Sequence, residues 1–276
     1  MELLAPAGGP EAAYAAFAYG ADAVYCGLRR FSARAEAENF TRDELSELVD
    51  FAHRAESPRQ VYATVNTVVL ERELPELLRT LGTLAELQVD AVIVQDLGVA
   101  RLARAHFPDL ELHASTQLAI HSVAGARQLP PLGFRRVIPA RELGLDEIQT
   151  ICAVPGLDVE VFVHGALCYG YSGLCLLSSH LRGTSGNRGE CAYLCRNGLF
   201  RNGEAGHCAA MSMRDLALPD QLDALRQAGV ASLKIEGRKK SPLYVSVVTD
   251  YYRRLLDGTL TAADQRELEF GLKTVF

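Results

Sequence analysis

Residues 88–115 read QVDAVIVQDLGVARLARAHFPDLELHAS and contain the pattern that decides the fold. A short apolar run at 91–94 is followed by an amphipathic stretch of helical period at 97–106 and then by a second apolar run at 111–113. Short buried strands that alternate with helices are typical of β-α units, whose strands pair in a parallel sheet. The segment therefore predicts one such unit.

The same alternation continues from one end of the chain to the other. Strand candidates are the apolar runs at 2–4, 23–25, 61–65, 91–94, 111–113, 136–138, 159–163, 210–213 and 233–235. Helical periodicity follows most of them, at 11–19, 42–54, 74–88, 97–106, 119–129, 143–153, 219–228 and 242–256. Thr41 and Glu44 have the spacing of a capping box, which predicts that the second helix begins there.

This arrangement favours an α/β fold, a parallel β/α (TIM-like) barrel. The length of 276 residues suits one barrel domain over 1–276. Nine strand candidates compete for eight places, so one of them is expected to lie outside the barrel. A doubly wound open sheet is the alternative, but no glycine-rich dinucleotide-binding fingerprint follows the first strand.

Composition narrows the possible function classes. With 49% hydrophobic and 22% charged residues, the chain has the composition of a folded globular protein. It contains no apolar stretch near the roughly 20 residues that span a bilayer, so we expect a cytoplasmic protein without a membrane partner. A net charge of −6 argues against general affinity for the nucleic-acid backbone, although it permits local contact.

The main exception to the alternation is a segment rich in glycine and cysteine at 165–209. It has no clear periodicity, and a loop of this length in a compact domain is usually functional. The segment follows the seventh strand candidate. Since loops after barrel strands open onto the carboxyl-terminal face, where active sites are found, we expect this insert to lie over the barrel mouth.

Four cysteines of the insert are candidate metal ligands. Cys168, Cys175, Cys191 and Cys195 are separated by gaps of six, fifteen and three residues. A reducing cytosol favours metal ligation over disulfides. The spacing favours an iron–sulfur cluster, because zinc sites typically use ligand pairs two to four residues apart. Zinc and four inert buried cysteines remain the alternatives.

Polar residues directly after the apolar runs should converge on the same barrel mouth. Arg34, in the loop after the second strand, is a candidate to clamp a carboxylate or a phosphate. Several of these residues also have structural interpretations, as core histidines or as a local ion pair. Candidate catalytic residues are His113, Gln117, His164, Glu236 and Arg238, and candidate substrate-binding residues are Arg34, Asn66, Gln95, Asp96, Arg141 and Asp215.

Several motifs resemble the U32 "peptidase" family and cover essentially the whole chain. The most specific are EVFVHGALC at 160–168, GLC at 173–175 and NRGEC at 187–191. Others, in chain order, are LLAPAG at 3–8, GADAVY at 20–25, VNT at 65–67, VQDLG at 94–98, LHASTQ at 112–117 and KIEGR at 234–238.

The resemblance implies a function that the family name does not. Family members resemble oxygen-independent hydroxylases of RNA pyrimidines, namely ribosomal RNA 5-hydroxycytidine and transfer RNA 5-hydroxyuridine enzymes, and the ribosomal RNA branch is the most similar. It implies that Cys168, Cys175, Cys191 and Cys195 bind a [4Fe–4S] cluster, with prephenate as the suggested hydroxyl source and RNA as the partner. It predicts neither the electron donor nor the oligomeric state.

Three other functions remain open at this stage. A ubiquinone-ring hydroxylase component belongs to the same family. A peptidase is suggested by the family name and by His164 four residues before Cys168, but one nucleophile does not need four clustered cysteines. In the third, the insert only stabilises the structure, and the barrel binds a partner. Relatives continue past the KIEGR helix, so we expect this chain to lack their C-terminal segments, where RNA-binding parts would lie.

Overall fold

The computed structural model describes residues 1–196, 199–201, 204–208, 211–261 and 264. Its strands are β1 (Glu2–Pro6), β2 (Ala23–Gly27), β3 (Gln60–Val65), β4 (Ala91–Val94), β5 (Leu112–Ala114), β6 (Phe134–Val137), β7 (Asp158–Gly165), β8 (Leu199–Arg201), β9 (Glu204–Cys208), β10 (Leu216–Ala217) and β11 (Ser232–Ile235).

Eight of these strands close into a parallel barrel. Each of β1 to β6 pairs in parallel with the next strand along the chain, β7 pairs in parallel with β11, and β11 pairs in parallel with β1. The pairing of β11 with both neighbours leaves no open edge. The prediction of a β/α barrel is therefore confirmed, and the open-sheet alternative is wrong.

The strand predicted at 210–213 is wrong. Residues 211–213 have no strand conformation, and residue 210 lies outside the described part of the chain. A two-residue strand, β10, follows instead and pairs antiparallel with the end of β7, opposite His164 and Gly165. It extends the sheet at the barrel mouth and takes none of the eight places.

The helices surround the barrel. They are α1 (Pro10–Ala18), α2 (Arg42–His53), α3 (Leu74–Glu86), α4 (Leu97–His106), α5 (Val123–Ala126), α6 (Leu145–Cys152), α7 (Leu177–Arg182), α8 (Leu222–Gln227) and α9 (Pro242–Asp257), with 3₁₀ turns at Glu71–Glu73, Thr116–Leu118, Pro130–Leu132, Gly186–Arg188, Leu194–Arg196 and Pro219–Gln221. None of the helices in these described residues is long and apolar enough to cross a membrane.

Local chemistry explains where two of these helices begin. The capping box at α2 is confirmed: the Thr41 hydroxyl accepts from the Glu44 amide, and the Glu44 carboxylate accepts from the Thr41 amide. The helix predicted at 119–129 is shorter than expected. Ala119 has a left-handed φ of 59°, which no helix tolerates, so α5 starts only after the Ser122 cap.

The core has two layers. Most buried apolar side chains pack between the barrel and its helices, and a smaller group, including Tyr25, Ile93 and Ile138, fills the barrel itself. A charged network lies inside the barrel beside this group. The Glu160 carboxylate, with no exposed area, accepts from Lys234 at 2.7 Å and from Arg136 at 3.1 Å. Arg136 also pairs with Glu2 at 2.6 Å, so these buried charges are mutually compensated.

The insert after β7 has more regular structure than its sequence suggests. It contains helix α7, two 3₁₀ turns and the antiparallel hairpin of β8 and β9. These elements are short, which explains why the sequence of the insert shows no clear period.

Candidate active site

A cavity of about 890 Å³ opens at the carboxyl ends of the barrel strands. Its floor is made by side chains from inside the barrel, among them Tyr25, Phe162 and Lys234, and its walls come from loops after the strands and from the insert. This is the position at which parallel β/α barrels place their active sites. Residues of the insert between Gly165 and Arg196 form part of this lining.

All four candidate cysteines lie on the wall of this cavity. None of them forms a disulfide: Cys168 is exposed, and Cys175, Cys191 and Cys195 are half-buried. A Cβ placed on Gly170 would lie 3.2 Å from the Cys175 sulfur and 3.8 Å from the Cys168 sulfur, so these two thiols share the space beside this glycine.

The other two cysteines, Cys191 and Cys195, lie on the same wall. Burial raises the pKa of the Cys195 thiol, and the neighbouring Cys168 and Cys191 raise it further. In the described part of the chain, however, no three His, Cys, Asp or Glu side chains are arranged to hold one metal ion. The thiols are gathered on one wall but do not converge on a single point.

Two glycines allow the insert to rest on the barrel rim. Gly173 has a φ of +73°, and a Cβ there would lie 2.1 Å from the carbonyl oxygen of Gln117. Gly189 has a φ of +88°, and its Cβ would lie 2.3 Å from the carbonyl oxygen of Ser32. Both the backbone conformation and the close approach require glycine.

Side-chain bonds fix the same insert at two further points. Arg188 donates to both carboxylate oxygens of Glu73, at 2.8 and 2.9 Å, and this bond lowers the pKa of Glu73 to about 2. Arg196 donates to the carbonyl oxygens of Leu167 at 2.7 Å and Met213 at 2.8 Å. The bidentate pair is the stronger of these contacts because its geometry is fixed.

The cavity lining is cationic although the chain as a whole is acidic. The described lining residues include six cationic side chains against two carboxylates, and Lys234 among the six is already paired with the buried Glu160: Arg34, Arg141, Arg196, Lys234, Arg238 and Lys240 against Asp215 and Glu236. Converging positive charge in a cavity attracts anionic ligands. The site is therefore suited to a ligand that carries carboxylates or phosphates.

Arg34 and Glu236 lie together on this lining. The Arg34 guanidinium is 3.2 Å from the Glu236 carboxylate and remains about one-third exposed. Burial lowers the pKa of Arg34, but the Glu236 carboxylate more than offsets this, and the net shift is upward. Arg34 is thus a permanent positive charge on the cavity wall.

Arg238 and Asn66 position the loop that carries Arg34. The buried Arg238 guanidinium donates to Ser32 Oγ at 2.7 Å and Thr64 Oγ1 at 3.1 Å, and also to Asn39 Oδ1. The Asn66 side chain accepts from the Ala33 amide at 2.9 Å. Both residues line the cavity, as the sequence predicts. Their hydrogen bonds, however, hold the Arg34 loop in place.

His164 also lines the cavity, and its protonation state follows from its surroundings. Burial, with a contribution from the nearby Lys240 charge, lowers the pKa of His164 to about 4, so the ring is neutral at pH 7. Its Nδ1 lies 3.2 Å from the Tyr252 hydroxyl, which donates its only proton to the Val163 carbonyl oxygen. With the hydroxyl donating there, the contact favours the tautomer protonated at Nδ1.

Three predicted site residues do not line the cavity, namely His113, Gln95 and Asp96. His113 has no exposed area, lies 2.9 Å from Glu111 and packs edge-to-face against Tyr62 inside the barrel. Asp96 caps helix α4 by accepting from the Gly98 amide at 2.7 Å. The contacts of His113 and Asp96 correspond to structural roles.

The other predicted residues, Gln117, Arg141 and Asp215, do line the cavity. Sequence reasoning missed Lys234, Tyr169 and Tyr171, which line it as well. The sequence did contain a signal for Lys234, which is the lone charge in the apolar strand β11. Successive side chains of a strand point to opposite faces, so Lys234 points into the barrel when its neighbours Leu233 and Ile235 point outward.

The fold and site define a parallel β/α barrel with a cysteine-lined, cationic cavity at its mouth. The sequence profile of Peptidase family U32 matches residues 8–276. The chain belongs to this family.

Relatives of known name are similar over nearly the whole chain. The 23S rRNA 5-hydroxycytidine synthase of Escherichia coli is 41% identical over 94% of this chain and 40% of its own length. The tRNA hydroxylation protein P1 of Bacillus subtilis is 36% identical over 93% of this chain and 63% of its own length. A collagenase of Porphyromonas gingivalis is 33% identical over 94% of this chain and 66% of its own length. The chain thus spans less than two thirds of both hydroxylation proteins.

Solved structures show the same architecture. The U32 peptidase Mk0906 matches with a TM-score of 0.53 and 15% identity, over 79% of this chain and 86% of its own. KGPDC from Streptococcus mutans matches with a TM-score of 0.53 and 11% identity, over 94% of this chain and 98% of its own. At these identities the likeness concerns the fold alone.

Proposed function

We propose that this protein hydroxylates a pyrimidine in RNA, without molecular oxygen and with an iron–sulfur cluster. The observation that carries the proposal is the cavity, where four free cysteines and six cationic side chains line one space at the barrel mouth. The relatives named as ribosomal and transfer RNA hydroxylation proteins support the choice of substrate. An RNA substrate also implies a cytoplasmic location.

Cys168, Cys175, Cys191 and Cys195 would hold a [4Fe–4S] cluster. The donor set fits, since all four are thiols on one wall. Zinc, whose sulfur ligands lie about 2.3 Å from one metal ion, is the alternative occupant of the same four thiols. A cluster offers a separate iron to each cysteine, so its ligands need not converge. When bound, it would supply one-electron transfer to the reaction.

The cavity suits a pyrimidine nucleotide together with a small organic acid. Its volume lies near the upper end of the roughly 300–1,000 Å³ usual for ligand sites. We propose prephenate as the hydroxyl source, because its carboxylates match the cations on the lining. Arg34 and Arg141 would bind anionic groups, Arg238 would position the Arg34 loop, and neutral His164 would serve as a hydrogen-bonding or proton-accepting group.

The first test is spectroscopic. The wild type and the alanine variants of Cys168, Cys175, Cys191 and Cys195 are purified without oxygen, and visible absorption, iron and sulfide are measured. Brown colour in the wild type and its loss in the four variants is the expected result. Cys26→Ala and Cys152→Ala are matched controls that should keep the colour, since neither cysteine lines the cavity.

The second test concerns the substrate. Ribosomal and transfer RNA from a deletion strain are digested and searched by mass spectrometry for missing 5-hydroxycytidine or 5-hydroxyuridine. Complementation should restore the nucleoside, and a Cys175→Ala gene should not. A colourless protein that holds zinc would sink the redox proposal, and gelatin hydrolysis by that protein would favour a peptidase, as the collagenase relative suggests.

A further inference from the structure

We propose that Tyr171 is a stacking platform for a base of single-stranded RNA at the mouth of the cavity. The inference rests on the proposed function, in that it takes RNA as the substrate. It assigns a specific task to a residue of the insert that is neither a candidate metal ligand nor a charged group.

Tyr171 is exposed in an unusual setting. It lies in the insert between Cys168 and Cys175 and lines the cavity, yet 64% of its surface is exposed. Its ring rests against the His121 imidazole, with 5.5 Å between the ring centroids and 35° between the planes. Large exposed aromatic rings beside a cavity mark binding surfaces, because covering their apolar faces with a ligand is energetically favourable.

The ring behind Tyr171 is held in place. His121 Nδ1 lies 2.8 Å from the Ala119 carbonyl oxygen, and Nε2 lies 3.3 Å from the Glu142 carboxylate. The same carboxylate accepts from the amide of Ser172 at 2.9 Å. Because Ser172 directly follows Tyr171, the backbone next to the tyrosine is held by Glu142, and the backing ring is held through Nδ1 by the Ala119 carbonyl oxygen. The platform is therefore preorganised, which reduces the entropy lost when a ligand stacks on it.

The surroundings select a nucleic-acid base as the occupant. Sites for single-stranded nucleic acid combine cationic side chains, which contact the backbone, with aromatic rings on which bases stack. Both features are present here. The described lining has six cations against two carboxylates, and Tyr171 supplies an aromatic ring. Tyr169, 56% exposed and two residues earlier, lines the cavity as well and supplies a second ring.

The chain contains no tryptophan, which permits a direct test. Tyr171→Trp would introduce the sole tryptophan, and a base stacked on it should quench its fluorescence. The protein is purified without oxygen and titrated with a short single-stranded RNA of cytidine and uridine. Tyr19→Trp is the matched control: Tyr19 is 48% exposed at the end of α1 and does not line the cavity, so a tryptophan there should keep its emission.

Affinity gives an independent readout. In fluorescence anisotropy with the same RNA carrying a dye, Tyr171→Leu should weaken binding by about 5- to 150-fold, the range expected for one stacked base. Tyr171→Phe keeps the ring and should bind within about 2-fold of the wild type, because stacking does not need the hydroxyl.

The outcomes separate this inference from the proposed function. If the wild type binds RNA while Tyr171→Leu binds equally well and the emission of Tyr171→Trp is not quenched, the platform is overturned and the RNA substrate stands. The exposed ring would then fit a protein partner better. If the wild type binds no RNA at any concentration tested, the platform and the RNA substrate both fail.

Discussion

The Arg34 guanidinium lies 3.2 Å from the Glu236 carboxylate on the cavity wall. Arg34 comes from the loop after β2 and Glu236 from the loop after β11, so the pair joins two loops of the barrel mouth. An anionic ligand at Arg34 would lie beside the Glu236 carboxylate, which repels it and already occupies one donor of the guanidinium.

This arrangement predicts opposite effects of two substitutions. Arg34→Gln should weaken the binding of prephenate, the proposed hydroxyl source, by about 10-fold or more, because a charge-assisted hydrogen bond is lost. Glu236→Gln should strengthen it, since Arg34 then has no competing carboxylate. Isothermal titration calorimetry measures both. Equal weakening in the two variants would mean that Glu236 itself contributes to binding, contrary to this prediction.

The charge network inside the barrel predicts a large stability effect. Glu160→Gln leaves the buried Lys234 without its carboxylate partner and should lower the free energy of unfolding by roughly 3–5 kcal/mol. Glu86→Gln, in an exposed pair with Arg42, is the matched control and should cost less than about 1 kcal/mol. Urea unfolding measures both changes. Adding Lys234→Met to Glu160→Gln should recover part of the loss, and no recovery would contradict the pairing argument.

Much of the fold follows from the sequence because period and strand length are local properties. Apolar runs and one capping box predict the eight barrel strands and the start of α2. The run at 210–213 misleads because apolar residues in an irregular segment look like a short strand when no pairing partner is considered. The helix at 119–129 is overestimated because its sequence does not reveal the left-handed Ala119.

Part of the site follows from the sequence for a similar reason. Polar residues after parallel strands converge by topology, which brings Arg34, Glu236 and the cysteines into one lining. The position after a strand is also where the next helix is capped, and Asp is a favoured capping residue, so Asp96 fits both interpretations. Only side-chain packing shows that His113 turns to Glu111 and Tyr62 inside the barrel.

The bond between Glu73 and Arg188 predicts how acid loosens the insert. The folded-state pKa of Glu73 is about 2, below its ordinary value of 4.5, so the stabilisation is complete above about pH 4.5 and is lost as pH falls towards 2. The Val68 amide donates to the carbonyl oxygen of Asn187, in the insert, at 3.2 Å. Hydrogen exchange of the Val68 amide therefore reports on the attachment of the insert.

We expect faster exchange at Val68, after correction for intrinsic rates, in Glu73→Gln at neutral pH and in the wild type near pH 3. The free energy of unfolding should change by no more than about 1 kcal/mol, since Arg188 is about one-third exposed and solvent screens the pair. Glu86→Gln should leave Val68 exchange unchanged. Unaltered exchange in Glu73→Gln would show that the insert is held without this pair.

Gly173 and Gly183 offer a matched comparison of strain with steric clash. Both have left-handed φ values, +73° and +70°, but a Cβ at Gly183 would meet nothing within 4 Å, whereas one at Gly173 would lie 2.1 Å from the Gln117 carbonyl oxygen. Gly183→Ala should therefore cost about 1–2 kcal/mol, the effect of the backbone conformation alone.

Gly173→Ala should cost more than Gly183→Ala, because the insert must also move away from the rim. Urea unfolding gives the two free energies, and iron content after anaerobic purification shows whether displacement of the insert disturbs the four cysteines. We expect reduced iron in Gly173→Ala and wild-type iron in Gly183→Ala. Equal losses of stability would mean that the rim yields easily at Gln117 and that the close approach of Gly173 does not fix the insert.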